Sequence, residues 1–364
     1  MPDIADITPP DDGSRSRIDV HHHFCAPEWL EWADGQGLVN RKALPPWARW
    51  DSAAALDLMD RAGIATAVLK PMLPARYATS EQLREATAIT LRAAAEVADA
   101  HPGRFAFHAP LFLDDLDASR WALRLGLDEL GAVGVNVTAN YGGVYLGDPS
   151  YDPIFAELDE RAAVVDTHPH NLPFPGGAGA PGAVSVPGIP NFLCDFLLDT
   201  TRAAANMIHK RTLDRFPNLS VILPHAGGFL PHIATRVQAF AGAFTPPLEP
   251  AMVRDHLRRF YYDTAGPMSP AGTLLATAAP DRILFGSDWP ACPTEMVTDI
   301  ALPALTADPA LTPAHHLAIN RDNALRLMPA LTFPTPALTR SSNAGRAEQT
   351  LGLRPRPRAS NAGV

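Results

Sequence analysis

The stretch Ile18-Asp19-Val20-His21-His22-His23-Phe24 decides how the chain is read. A short apolar run ending in histidines reads as a strand. On a strand residues i and i+2 share a face, so His21 and His23 point together while His22 points away. Two imidazoles on one face suit a divalent metal. Three more apolar runs close in the same manner: Val164-Val165-Asp166-Thr167-His168-Pro169, Val221-Ile222-Leu223-Pro224-His225-Ala226-Gly227-Gly228 and Ile283-Leu284-Phe285-Gly286-Ser287-Asp288-Trp289-Pro290. Any one of these is explicable as a hydrogen-bonded core histidine or a turn-capping aspartate. The set is not, because packing alone would favour an apolar residue at each of these places.

Outward from these motifs, short apolar runs alternate with longer amphipathic Ala/Leu-rich stretches, the pattern of repeated βα units around a parallel sheet. Eight strands are predicted, at 18–23, 64–70, 105–111, 133–137, 163–168, 219–225, 260–263 and 282–287, with helices such as 52–62 and 81–100 between them. That is the α/β class, and specifically a (β/α)8 TIM barrel. Catalytic groups of such barrels sit at the C-terminal ends of the strands, where all five polar residues fall: His21 and His23, His168, His225 and Asp288. A doubly wound sheet would gather them at one switch point instead. Two long connections belong to the same face, 25–50 and 169–191; the second is so rich in Gly and Pro that it reads either as an active-site lid or as a tolerated surface insertion.

The bulk numbers bound the rest. With 364 residues, 46% of them hydrophobic, the chain can bury a large core. Its 30 basic and 39 acidic residues leave a net charge of -9, no footprint for nucleic acid or an anionic membrane, so the expected partner is a small molecule. No apolar run approaches the ~18 residues of a membrane span, and no secretory signal opens the chain. Cys25, Cys194 and Cys292 are odd in number and far apart, which argues against a disulfide framework and for a reducing cytoplasm. Residues 1–17 read as a flexible segment, 18–336 as the catalytic barrel, and 337–364, with five arginines and little to bury, as a disordered tail.

Asp-Val-His-x-His-Phe at 19–24, His168-Pro169, His225-Ala226-Gly227-Gly228 and Phe285-Gly286-Ser287-Asp288-Trp289-Pro290 together resemble the amidohydrolase superfamily, in its aminocarboxymuconate semialdehyde decarboxylase-like branch. The stretch Leu198-Asp199-Thr200-Thr201-Arg202-Ala203 is similar to members acting on hydroxybenzoates, such as 6-methylsalicylate and γ-resorcylate decarboxylases. The resemblance implies that His21, His23, His168 and Asp288 bind one divalent metal, zinc first and manganese second, with His225 as the acid/base residue beside it. Strand four offers Val135-Asn136-Val137-Thr138, without the lysine that bridges two metals in binuclear members, so one ion is expected.

For the substrate carboxylate, Arg236 is the cation the resemblance suggests, reaching into a neighbouring subunit of a homodimer or larger assembly. Arg41 and Arg49 stand near a second arginine position in the loop after strand one. Trp289, like Trp47 and Trp50, could stack on a ring. Lys70, ending strand two, faces the same mouth and is expected to reach solvent, with contact to substrate as the alternative. The resulting expectation is non-oxidative decarboxylation of an aromatic or related unsaturated carboxylic acid, with His225 or Asp288 delivering the proton. Hydrolysis of a lactone, ester or amide by a metal-bound water is the alternative, since the same five residues serve it.

Overall fold

A computed structural model of the chain describes residues 11–74, 76–173, 186–267 and 271–331. Eight strands follow one another in sequence order around a single sheet, each parallel to the next. They are β1 Arg17–Phe24, β2 Ile64–Pro71, β3 Phe105–Pro110, β4 Gly134–Thr138, β5 Val164–His168, β6 Ser220–Leu223, β7 Tyr261–Asp263 and β8 Ile283–Leu284. The ring closes beyond β8, where the Val20 amide donates to Phe285 O at 3.0 Å, the His23 amide to Trp289 O at 2.7 Å and the Asp288 amide to His21 O at 2.9 Å. The architecture is the expected (β/α)8 barrel. No helix among the described residues is long and apolar enough to cross a membrane.

Five helices matter for the site: α1 Pro27–Gly35, α2 Ser52–Ala62, α3 Ser80–Ala100, α4 Asn191–His209 and α5 Leu230–Ala239. α2 coincides with the predicted helix because Asp51 accepts from the Ala53 and Ala54 amides at its start and Gly63, at φ 65°, ends it. α3 begins one residue before its prediction, capped by the Thr79 hydroxyl, which accepts from the Gln82 amide.

Five strands are shorter than predicted, β3, β5 and β7 by one residue each and β6 and β8 by more. β6 stops at Leu223 because Pro224 has no amide to donate and His225 and Ala226 both turn left-handed, at φ 52° and 56°. β8 holds only two residues, and Phe285–Trp289 carries on as an irregular segment that seals the barrel. At the other end Arg17 already belongs to β1. Its guanidinium donates to Asn320 Oδ1 at 3.2 Å and to Ala62 O at 2.6 Å, while Arg321 pairs with Asp11 at 3.0 Å. The part of the expected flexible segment that is described, 11–17, is thus bonded to the barrel. Residues 1–10, the middle of the expected lid and the expected tail at 337–364 lie outside the described residues.

Inside the barrel, Ile18, Val20, Val68, Val164, Ile222 and Leu284 pack as an apolar plug. Alternation from Ile18 and Val20 would next turn His22 inward. Instead β1 carries a bulge: Asp19 pairs with Ala67 and His22 with Leu69, so three residues of β1 oppose two of β2. The extra residue reverses the faces, sending His21 and His23 into the mouth of the barrel. His22 turns outward, where its ring lies 4.9 Å from that of Trp289 and its Nδ1 3.1 Å from Asp19.

Asp19 fastens this geometry. It is fully buried and accepts from the Ser287 amide at 2.9 Å, the Ser287 hydroxyl at 2.6 Å and the His21 amide at 3.1 Å. Next to it, a Cβ on Gly286 would stand 2.9 Å from His21 Cβ, so the approach of the sealing segment to β1 requires glycine. Gly286→Ala is expected to cost about 1–3 kcal/mol of stability through overpacking, read as a lower urea midpoint; an unchanged midpoint would show that the seam can yield.

Candidate active site

The five polar strand-end residues meet at the C-terminal mouth. His21 Nε2 lies 3.3 Å from His23 Nε2 and 3.4 Å from Asp288 Oδ1, and His23 Nε2 lies 3.0 Å from that same oxygen. The His168 ring stands 5.5 Å from that of His21 and 5.0 Å from that of His23. His225 Nε2 is 3.7 Å from Asp288 Oδ1. Ligand atoms of His21, His23 and Asp288, and likewise of His21, His168 and His225, all lie within 4.8 Å of one another.

Protonation follows from burial. Desolvation holds His21 and His168 well below the ordinary histidine range and lowers His23, so their imidazoles are neutral near pH 7. Burial pushes the Asp288 carboxyl up, but the imidazoles of His225 and His23 override it, and its pKa falls far below the usual carboxylate range. The tautomers are set from behind. Asp263 Oδ2 accepts from His21 Nδ1 at 2.7 Å and the Pro169 carbonyl accepts from His168 Nδ1 at 2.8 Å, leaving both Nε2 atoms as bare lone pairs. Bare lone pairs facing a carboxylate repel one another unless a cation lies between them. The donor set therefore fits a divalent ion, which the three imidazoles and one carboxylate could hold.

Two of these residues are held in costly backbone conformations. His225 and Asp288 are non-glycine residues at φ 52° and 63°, each worth on the order of 1–3 kcal/mol of strain. Asp263, which sequence reasoning did not single out, explains how His225 is kept there. Its Oδ1 accepts from the His225 amide at 2.8 Å and from the Ala265 amide at 3.1 Å, while its Oδ2 holds His21. One buried carboxylate, with its pKa raised by burial to about 6, thus orients both an imidazole of the cluster and the turn that bears His225. Asp263 ends an apolar strand just as the other site residues do, so the signal was present.

A cavity of about 300 Å³ opens beside His23 and His168. Its polar floor adds Lys70, Asn136 and Thr138; its walls are apolar, with Trp29, Leu44 and Trp47 from the connection after β1, Phe112 after β3, and Phe196 of α4. Lys70 corrects the sequence reading. It is 1% exposed rather than solvent-reaching, because its ammonium donates to Asp166 Oδ2 at 3.0 Å and Thr167 O at 3.4 Å. The arginines are elsewhere: Arg41 and Arg49 are exposed on the connection after β1, and Arg236 is exposed on α5 with its guanidinium 5.0 Å from the Phe240 ring. None of the three lines this cavity. Trp289 is buried behind the cluster, its indole N–H donating to Thr294 Oγ1 at 3.1 Å, and Trp50 packs on Phe24 in the core. Burial pushes the thiols of Cys25 and Cys292 up to about 12, so both are inert.

The Asp199 motif serves position. Asp199, buried on α4, accepts from Asn140 Nδ2 at 2.9 Å and 3.0 Å and from the His170 amide at 2.8 Å. It clasps α4 to the loop that follows His168.

This geometry has known counterparts. The amidohydrolase family model matches residues 18–329. A 6-methylsalicylic acid decarboxylase of Aspergillus aculeatus is 30% identical over 86% of this chain and 96% of its own length. A gamma-resorcylate decarboxylase of Rhodococcus jostii is 30% identical over 76% and 88%. A solved dihydroxybenzoic acid decarboxylase from Polaromonas, with bound manganese and the inhibitor 2-nitroresorcinol, superposes with a TM-score of 0.70 at 26% identity, covering 86% of this chain and 97% of that one. The chain belongs to the amidohydrolase family and is an enzyme of its carboxy-lyase branch.

Proposed function

We propose that this enzyme removes the carboxyl group of a hydroxybenzoate of the salicylate type as CO2, without oxidation, using one divalent ion held by His21, His23, His168 and Asp288. The observation that carries the reading is the convergence of bare imidazole lone pairs and an ionised carboxylate beside an apolar cavity of about 300 Å³, room for a single substituted ring. The names of the relatives, acting on 6-methylsalicylic acid and gamma-resorcylate, support the same substrate class. A divalent ion bound there supplies Lewis-acid attraction for a substrate carboxylate oxygen. Zinc and manganese both suit the donor set, and manganese is the ion in the Polaromonas neighbour.

The chain's own groups do the rest. His225, whose Nε2 stands 3.7 Å from Asp288 Oδ1, is the group that delivers a proton to the ring carbon that bears the carboxylate. The bond to the carboxyl carbon then breaks, its electron pair restores the aromatic ring, and CO2 leaves. The Asp288 carboxylate stands beside His225 as that proton leaves and is regained. The apolar walls exclude water and favour an uncharged product. On the same reading the protein works in the cytoplasm as a homodimer or larger assembly, with Arg236 offered to a neighbouring subunit rather than to its own cavity.

Elemental analysis is expected to find one equivalent of zinc or manganese, and the same sample to release CO2 from 2-hydroxybenzoic acids until a chelator strips the ion. Metal without CO2 release from any such acid would restore the hydrolytic alternative. His225→Ala is expected to keep its metal and lose about 100-fold or more in kcat; an unchanged rate would remove His225 from the mechanism. Asp263→Asn should weaken metal binding roughly 10- to 100-fold with the fold intact, measured by competition with a chromophoric chelator. Undiminished affinity would mean that His21 needs no orienting partner.

A further inference from the structure

Lys70 is the cation of the substrate cavity. It lines the cavity with His23 and His168, and it is 1% exposed. Arg41, Arg49 and Arg236 are all outside the lining, and among its described residues Lys70 is the only lysine or arginine. Two of its three ammonium hydrogens have acceptors, Asp166 Oδ2 at 3.0 Å and Thr167 O at 3.4 Å. The third close polar atom is His21 Nδ1, at 3.2 Å. That nitrogen cannot accept, because it spends its own hydrogen on Asp263 Oδ2 at 2.7 Å. A buried ammonium with an unused donor is costly unless a ligand completes it.

We propose that Lys70 is the specificity-determining residue of the site: its free N–H donates to an ionisable ring oxygen ortho to the substrate carboxylate. The inference rests on the decarboxylase reading and deepens it. Lys70 and the metal-facing Nε2 atoms are separated by the width of the His21 imidazole. Side-by-side oxygens of an ortho-hydroxy acid can therefore meet the two charges together, whereas a carboxylate with no neighbouring oxygen meets one. Asp166 keeps the lysine in place. Its carboxylate also takes Asn136 Nδ2 at 3.2 Å and stands 3.3 Å from His108 Nδ1, so the lysine's partner is itself held by two neighbours.

The test is binding of 2-hydroxybenzoate and of benzoate to the manganese-loaded protein, by calorimetry, in the wild type and in Lys70→Met/Asp166→Asn, which removes both charges of the buried pair at once. The wild type is expected to prefer 2-hydroxybenzoate by roughly 10- to 100-fold, the loss that follows when a charge-assisted hydrogen bond is missing. The double variant, with its manganese content unchanged, is expected to lose at least tenfold of that preference. A lysine that merely neutralises Asp166 would leave the ratio where it was, and that result overturns the proposal. If the double variant does not fold, Lys70→Gln, which keeps a donor for Asp166, is read by the same ratio. A wild-type ratio of two or less overturns the proposal with no variant at all. Wild type that binds 2-hydroxybenzoate selectively yet releases no CO2 refutes the decarboxylase reading while leaving the assignment of Lys70 standing.

Discussion

One extra residue in β1 decides what the barrel can do. Ile18 and Val20 belong to the apolar plug, and strict alternation from them would have carried His22 inward and turned His21 and His23 toward the helices. The bulge between Asp19 and His22 changes the phase at the level where the plug ends. Below it the interior is hydrocarbon; above it the interior is imidazole. Asp19 holds the change in place by bonding to Ser287, and Ser287 precedes Asp288, so the strand with two histidines and the segment with the aspartate are located by one carboxylate.

Above the plug, the barrel concentrates charge where solvent cannot relax it. Lys70, Asp166, His108, His21, Asp263 and Asp288 form a connected set in a region of low exposure. In such surroundings each group governs its neighbours' protonation more strongly than at a surface. A neutral His21 and an anionic Asp288 result from that arrangement rather than from any intrinsic property of the side chains. The left-handed backbones of His225 and Asp288 are tolerated for the same reason. Hydrogen bonds donated by the His225 amide to Asp263 Oδ1 and by the Asp288 amide to His21 O over-determine both turns.

Much of this was legible in the sequence. Periodicity gave eight strands in the right places, and the habit of ending each apolar run on a polar residue marked His21, His23, His168, His225 and Asp288, which the fold brings together. Strand ends were less legible. β6 and β8 stop early because Pro224 and the left-handed residues break the ladder, an effect of tertiary bonding on local geometry. Lys70 was misjudged because a strand-end lysine ordinarily reaches water, and its partner Asp166 lies almost a hundred residues away in sequence, where no local pattern links them. Arg41 and Arg49 fall outside the cavity lining, since loop positions near the right strand do not say which way a long side chain turns.

The cavity is assembled from two sources. Its floor consists of strand residues that belong to the rigid barrel, and much of its wall comes from the single connection between β1 and β2, through Trp29, Leu44 and Trp47. Chemistry and selectivity of shape are thereby written on separate parts of the chain. Exchanging that connection can alter which ring substituents are admitted while the proton donor and the ligand set stay in register, so descendants of this sequence could explore new substrates without passing through an inactive intermediate.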